Sequence, residues 1–207
     1  MRKVILLFTL FLFNAEIFAQ EEKVYEADNF VWCGLDYSNV RCIGPAGFND
    51  PEAIKDKYFD AWNQLVLNEA SKYDLEEAYD KSQTVDLSVV NRRNDLPVVG
   101  EFVINEPYAF DGDQLKKIIS DYNLKSQKEG IGLVYVVEAL NKTTERAAIH
   151  TVFFDIATKE ILWSRKFIAA AGGFGFRNYW ARPIYEVIKD SRKVMKRAKK
   201  DYYKSLK

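Results

Sequence analysis

Three long apolar segments in the second half of this chain constrain its fold more than any other feature. Ile131 to Leu140 is nearly continuous in apolar residues. Ala147 to Phe154 follows after the polar stretch Asn141 to Glu145, and Glu160 to Ala171 follows after a short turn at Ile156 to Lys159. Segments rich in β-branched and aromatic residues, bounded by short polar connections, read as strands. Connections this short join antiparallel neighbours, so the spacing predicts a three-stranded meander. Such a sheet must bury at least one face, and the chain supplies helices to cover it. Asp50 followed by Pro51 is an N-cap and first helical position. Behind them Ile54, Tyr58, Trp62, Leu65, Val66 and Ala70 recur at helical spacing, which predicts a helix from Pro51 to about Lys72. A second helix, about 178–206, carries the stripe Ile184, Val187, Ile188, Val194, Met195, Ala198 and Tyr202. The predicted architecture over 20–207 is a single two-layer α+β domain. Its sheet is mainly antiparallel, ends in the C-terminal meander, and carries its helices on one face.

The remaining elements are shorter. Phe30 to Leu35 reads as a buried strand that pairs with Val40 to Ile43 around a turn at Asp36 to Asn39. That pairing sets Cys33 opposite Cys42 and allows a disulfide; the alternative is two buried free thiols on strands that do not pair this way. Thr84 to Val90 alternates enough to be a strand. Asn91 to Phe110 reads as a loop without a place, and Asp113 caps a short helix whose apolar face is Leu115, Ile118, Ile119 and Tyr122.

The first residues say where the protein goes. Arg2 and Lys3 precede an apolar run from Val4 to Phe13, and Ala19 supplies a small residue for cleavage, the pattern of a secretory signal peptide over 1–19. As a helix the run spans about 15 Å, half of a hydrocarbon core of roughly 30 Å, so a permanent anchor is disfavoured and the mature chain has no transmembrane span. No cysteine stands at the new N-terminus, which argues against a lipoprotein. The expected location is periplasmic, peripheral to the outer membrane, or secreted.

Charge and chemistry exclude more than they select. Thirty basic residues balance thirty acidic ones in 207 residues, which gives no electrostatic case for nucleic acid. The balance hides an asymmetry: Lys189 to Lys207 holds nine Lys or Arg against two Asp, a local charge of +7, while Gln20 to Ile188 carries −8. Lys196, Arg197, Lys199 and Lys200 can therefore steer this helix toward an envelope protein or an anionic surface. The chain contains neither Gly-x-Ser-x-Gly nor His-Glu-x-x-His. His150 is the single histidine and has no acid or thiol near it in sequence, so it reads as a packed residue rather than a base. Two cysteines and one distant histidine do not make a metal site, Asp111-Gly112-Asp113 is too short for a calcium loop, and Asn141-Lys142-Thr143 reads as a turn rather than a glycosylation site. No cofactor is implied.

The most conspicuous motif is Gly172-Gly173-Phe174-Gly175, between a strand and a helix. No Gly-Lys-Ser/Thr follows, so it is not a phosphate-binding loop, and a structural turn is the favoured reading over an anion site. The glycines, with Phe174, Phe176, Arg177, Tyr179 and Trp180 beside them, are the candidate binding patch.

Val152 to Ser164, together with Ala171 to Trp180 and Trp32-Cys33-Gly34-Leu35-Asp36-Tyr37, resembles a group of uncharacterised exported proteins of Gram-negative bacteria over most of the mature chain. The hairpin Asp155-x-x-Thr158-x-Glu160-x-Leu162-Trp163 also resembles, more loosely, envelope α+β domains. These are the amino-terminal domain of the Tol-Pal translocation protein, the periplasmic domain of the curli secretion pore and lipoprotein activators of penicillin-binding proteins. The resemblance implies helices packed on a sheet and a role in binding envelope components, with no catalytic residues. The expected function is a non-enzymatic binding or assembly-accessory module of the envelope. The alternatives are a small-ligand carrier for a glycan or anion, and, less favoured, an envelope hydrolase.

Overall fold

A computed structural model of the chain describes residues 20–206; the expected signal peptide, 1–19, lies outside the described residues. A helical segment at 20–26 leads into β1 (Asn29–Asp36) and β2 (Arg41–Ile43). Helix α1 is composite: Pro51–Ala53, a π-helical turn at Ile54–Tyr58, and Phe59–Asn68. Then come α2 (Leu75–Tyr79), β3 (Ser82–Val85), α3 (Ser88–Arg93), β4 (Val103–Ile104) and α4 (Gln114–Ser120). The chain closes with β5 (Ile131–Asn141), β6 (Arg146–Asp155), β7 (Ile161–Ala170) and the 30-residue α5 (Phe176–Ser205).

All seven strands form one sheet built around β5. Along one edge of β5 lie β1 and β2 end to end, both parallel to it, from Val31↔Gly132 to Asp36↔Val136 and from Arg41↔Ala139 to Ile43↔Asn141. Outside them β3 runs parallel to β1 and β4 parallel to β2. Antiparallel pairing is confined to β5–β6 and β6–β7. Four of the six pairings are parallel, so the sheet is not mainly antiparallel as the sequence suggested. The connections explain it, because parallel neighbours need a crossover and each has a helical one. α1 and α2 lie between β2 and β3, α3 between β3 and β4, and α4 between β4 and β5.

Both faces of the sheet are covered. On one, Phe30, Trp32, Tyr135, Phe153 and Trp163 pack under Trp62 and Leu65 of α1, Tyr79 of α2, and Trp180, Ile184 and Met195 of α5. On the other, Val31, Cys33, Val134, Val136, Val152 and Phe154 meet Val89 of α3 and Ile118 and Ile119 of α4. Successive residues of a strand point to opposite faces, so β1 feeds Phe30 and Trp32 to one core and Val31 and Cys33 to the other. The two-layer α+β expectation with helices on one face is replaced by a three-layer α/β arrangement.

Four local expectations are corrected as well. β1 and β2 do not form a hairpin: Cys33 and Cys42 are free buried thiols that face opposite cores. The backbone between them is held instead by two buried amides. Asn63 accepts from the Leu35 N–H at 2.8 Å and donates to the Leu35 carbonyl, while Asn94 accepts from the Tyr37 N–H at 2.7 Å and donates to the same carbonyl. Gly34 sits in this corner at φ +98°, where a Cβ would come within 2.6 Å of Asn63 Oδ1, so the close approach requires glycine. The strand expected over Thr84 to Val90 is instead β3 followed by α3, and Asp86 accepts the Ser88 N–H at the start of that helix. In α1 the π turn adds a residue to the repeat, so Phe59 enters the core and Tyr58 stays half-buried. Asp50 caps α1 through the Ala53 N–H as expected, whereas Asp113 stands at the cap position of α4 without a side-chain cap bond.

Candidate functional site

The glycine-rich segment joins β7 to α5, and a proline inside α5 determines its shape. Pro183 has no N–H to give to the carbonyl four residues earlier, that of Tyr179. Gly172 supplies the missing donor, its N–H reaching the Tyr179 oxygen at 3.0 Å. The turn is thereby folded back onto the helix it precedes. Gly173 takes φ +114° to allow this, a conformation L side chains rarely adopt. The Gly172 N–H is thereby committed to the helix and is not free for a ligand.

The turn sorts the aromatic residues of the candidate patch. Trp180 is buried and stacks on Phe48 with ring centroids 5.4 Å apart. Phe176 lies 4.8 Å from Tyr58 and 6.0 Å from Trp62, and the Trp62 indole N–H donates to the Arg177 carbonyl at 2.8 Å. Tyr179 takes a hydrogen bond from Lys142, whose ammonium also sits 4.2 Å from the ring centroid. The Arg177 guanidinium is 3.4 Å from Glu69. Phe174 alone points outward, 96% exposed. A single exposed aromatic side chain is not a patch by itself, and it is its place beside an apolar-lined groove that makes it a candidate contact.

Phe174 stands at the rim of a groove of about 570 Å³ between the C-terminal part of α1 and α5. Leu65, Tyr73, Ala181 and Tyr185 supply its apolar lining; Glu69 with Lys72 and Arg182 with Glu186 form ion pairs at 3.5 and 3.4 Å along the rim. The Tyr73 hydroxyl is buried with no hydrogen-bond partner among the described residues.

Lys196, Arg197, Lys199 and Lys200 lie on the last turns of the same helix. At 1.5 Å per residue they are roughly 35 Å from the glycine turn, so the structure does not bring the two candidate sets together. Ser191, Met195, Ala198 and Tyr202 face the body, which leaves Lys193, Lys196, Arg197, Lys200 and Lys204 on the outer side.

One cluster was invisible in the sequence. The β5–β6 pairing brings Glu138 to His150, with Glu138 Oε2 and His150 Nε2 2.9 Å apart. Lys166, the cross-strand partner of His150 on β7, bonds the other oxygen of the same carboxylate. The Phe110 N–H donates to Glu138 at 3.2 Å, and the Phe110 ring stacks on His150 at 5.3 Å. Burial alone would raise the Glu138 carboxyl, but the bonds from His150, Lys166 and Phe110 outweigh it and hold it at about 2. A carboxylate orienting an imidazole is part of a hydrolytic triad. Here, however, the carboxylate is shared with a lysine, and an aromatic ring covers the imidazole. The arrangement fastens the segment around Phe110 onto β5 and β6. Among the described residues no group of three or more His, Cys, Asp or Glu side chains could hold a metal ion.

A second buried network is also structural. Asp36, fully buried, accepts from Arg93 Nε at 2.8 Å and from the Tyr122 hydroxyl at 2.6 Å, and Arg93 reaches on to Ser38 and Asp121. It ties α3 and α4 to the end of β1.

No protein-family model and no curated protein matches the chain. Among solved structures, it is similar to the LpoB C-terminal domain from Salmonella enterica, with 12% identity, covering 74% of this chain and 95% of that one at a TM-score of 0.32. At that score the likeness assigns neither fold nor function. No helix among the described residues is long and apolar enough to cross a membrane.

Proposed function

We propose that this chain is an exported, non-enzymatic binding or assembly-accessory module of the Gram-negative envelope, and that it contacts its partner through Phe174 and the adjoining groove. The observation that carries this reading is the 96% exposure of Phe174 at the rim of a groove lined by Leu65, Tyr73, Ala181 and Tyr185. An exposed aromatic side chain beside such a groove offers a partner a large apolar area to bury, and a few aromatic anchors of this kind carry most of an interface's energy. Among the described residues the Glu138 carboxylate is bonded by His150, Lys166 and the Phe110 N–H, so this cluster is read as structural in the proposal.

The test is crosslinking in cells followed by capture from envelope fractions, comparing wild type with Phe174→Asp. A discrete partner taken by wild type and lost in the variant, with unfolding unchanged to within about 0.5 kcal/mol, is the expected outcome. A partner captured equally by both removes Phe174 from the interface. A second reading, a small-ligand carrier for a glycan or anion, is favoured by the groove's volume of about 570 Å³, a size that small-ligand sites have, and by Tyr73 and Tyr185 in its lining. A ligand that raises the melting temperature of wild type and not of Tyr73→Phe would select it.

A further inference from the structure

The outer side of α5 suggests a contact separate from Phe174. The helix turns Ser191, Met195, Ala198 and Tyr202 inward, and at the far end Tyr202 packs on Tyr25 with centroids 5.5 Å apart. The opposite side, from Lys193 to Lys204, is about 17 Å long and presents Lys193, Lys196, Arg197, Lys200 and Lys204 to solvent. Lys196, Lys200 and Lys204 make no ion pair among the described residues, while Lys193 and Arg197 have only intrahelical partners at Asp190 and Asp201. Tyr203 and Leu206, 38% and 62% exposed, extend this surface at the helix end.

We propose that this face docks the protein on an anionic phospholipid bilayer. The argument is charge complementarity of a particular kind. Lysine is a strongly hydrated point charge without the planar fork that arginine offers to a carboxylate, and it is depleted in specific protein interfaces. A lysine-dominated stripe with no apolar anchor at its centre suits a diffuse sheet of headgroup charge better than a shaped protein surface. Tyr203 and Leu206 are side chains that a membrane–water interface accepts. The last nineteen residues carry +7 while the rest of the mature chain carries −8, so the basic charge of the molecule is concentrated on this stretch of α5. Because the apolar stripe of α5 is engaged by the core, attachment is electrostatic and reversible.

The experiment is co-flotation of the exported chain, purified after processing, with vesicles of phosphatidylglycerol and phosphatidylcholine and with phosphatidylcholine alone. Binding to the anionic vesicles at low salt, none to the zwitterionic ones, and release at 1 M salt, where the screening length falls to about 3 Å, are expected. Each cation near an anionic surface contributes roughly fivefold in partitioning, so K196Q/R197Q/K200Q/K204Q should bind two to three orders of magnitude more weakly. K196R/K200R/K204R should bind like wild type, as should Phe174→Asp, which separates this contact from the proposed partner site. All four positions are surface positions, and an unchanged circular dichroism spectrum confirms that each variant is folded. Absence of binding at low salt, equal binding to phosphatidylcholine, or equal binding by the glutamine variant would overturn the proposal. So would stoichiometric capture of an acidic protein through these lysines without vesicle binding.

Discussion

Glu138 shows how much of this protein is decided by residues far apart in sequence. Its carboxylate, 1% exposed, is held by side chains from two other strands and a backbone N–H from the loop before α4. Removing one partner of a fully buried pair costs about 3 to 5 kcal/mol, and with Lys166 36% exposed the loss expected here is about 2 to 4 kcal/mol. Glu138→Gln should lose stability of that order in urea unfolding at pH 7, with faster amide exchange around Phe110. The pH dependence has a defined sign. The folded carboxyl sits at about 2 against 4.5 for the free group, so its contribution is complete above about pH 4.5 and disappears as pH falls toward 2. The gap between wild type and variant should therefore narrow through that window; a constant gap would show that the charge is not what stabilises this end of the sheet. His150 was legible only as a lone histidine, because its acid is twelve residues away and reaches it through strand pairing rather than a motif.

At the scale of elements, helix-forming stripes and apolar runs were readable, while pairing partners were not. The run Ile131 to Leu140 announces a strand, and its lack of alternation is the mark of one covered on both faces. The short connections on either side of β6 are equally clear, and they drew the antiparallel reading toward the whole sheet. The parallel half depends on Asn63 and Asn94, side-chain amides that turn the backbone between β1 and β2 and have no sequence signature distinguishing them from surface asparagines. The glycine turn was identified as a turn, yet its reason lies at Pro183, eleven residues beyond Gly172. That assignment is testable. Gly173→Ala must place a Cβ at φ +114° and should cost about 1 to 3 kcal/mol, while exchange of the Gly172 amide accelerates by more than the global loss explains. Protection of that amide unchanged from wild type would mean that the turn is not locked to α5.

For the whole molecule, the three-layer body buries most of its aromatic residues between two cores, and the two proposed contact surfaces, Phe174 with its groove and the lysine stripe, lie toward opposite ends of α5. The charge asymmetry and the glycine–aromatic segment could be read directly from the sequence. Which aromatic faces solvent could not, because burial of Phe176 and Trp180 depends on Phe48, Tyr58 and Trp62 arriving from elsewhere. The most direct measurement of the binding-module account is photo-crosslinking in living cells from a probe amino acid at position 174, with a probe at the exposed position 113 as control. A single crosslinked species of defined mass at 174 and none at 113 is the predicted result. Crosslinks absent from 174, or identical from both positions, would contradict it.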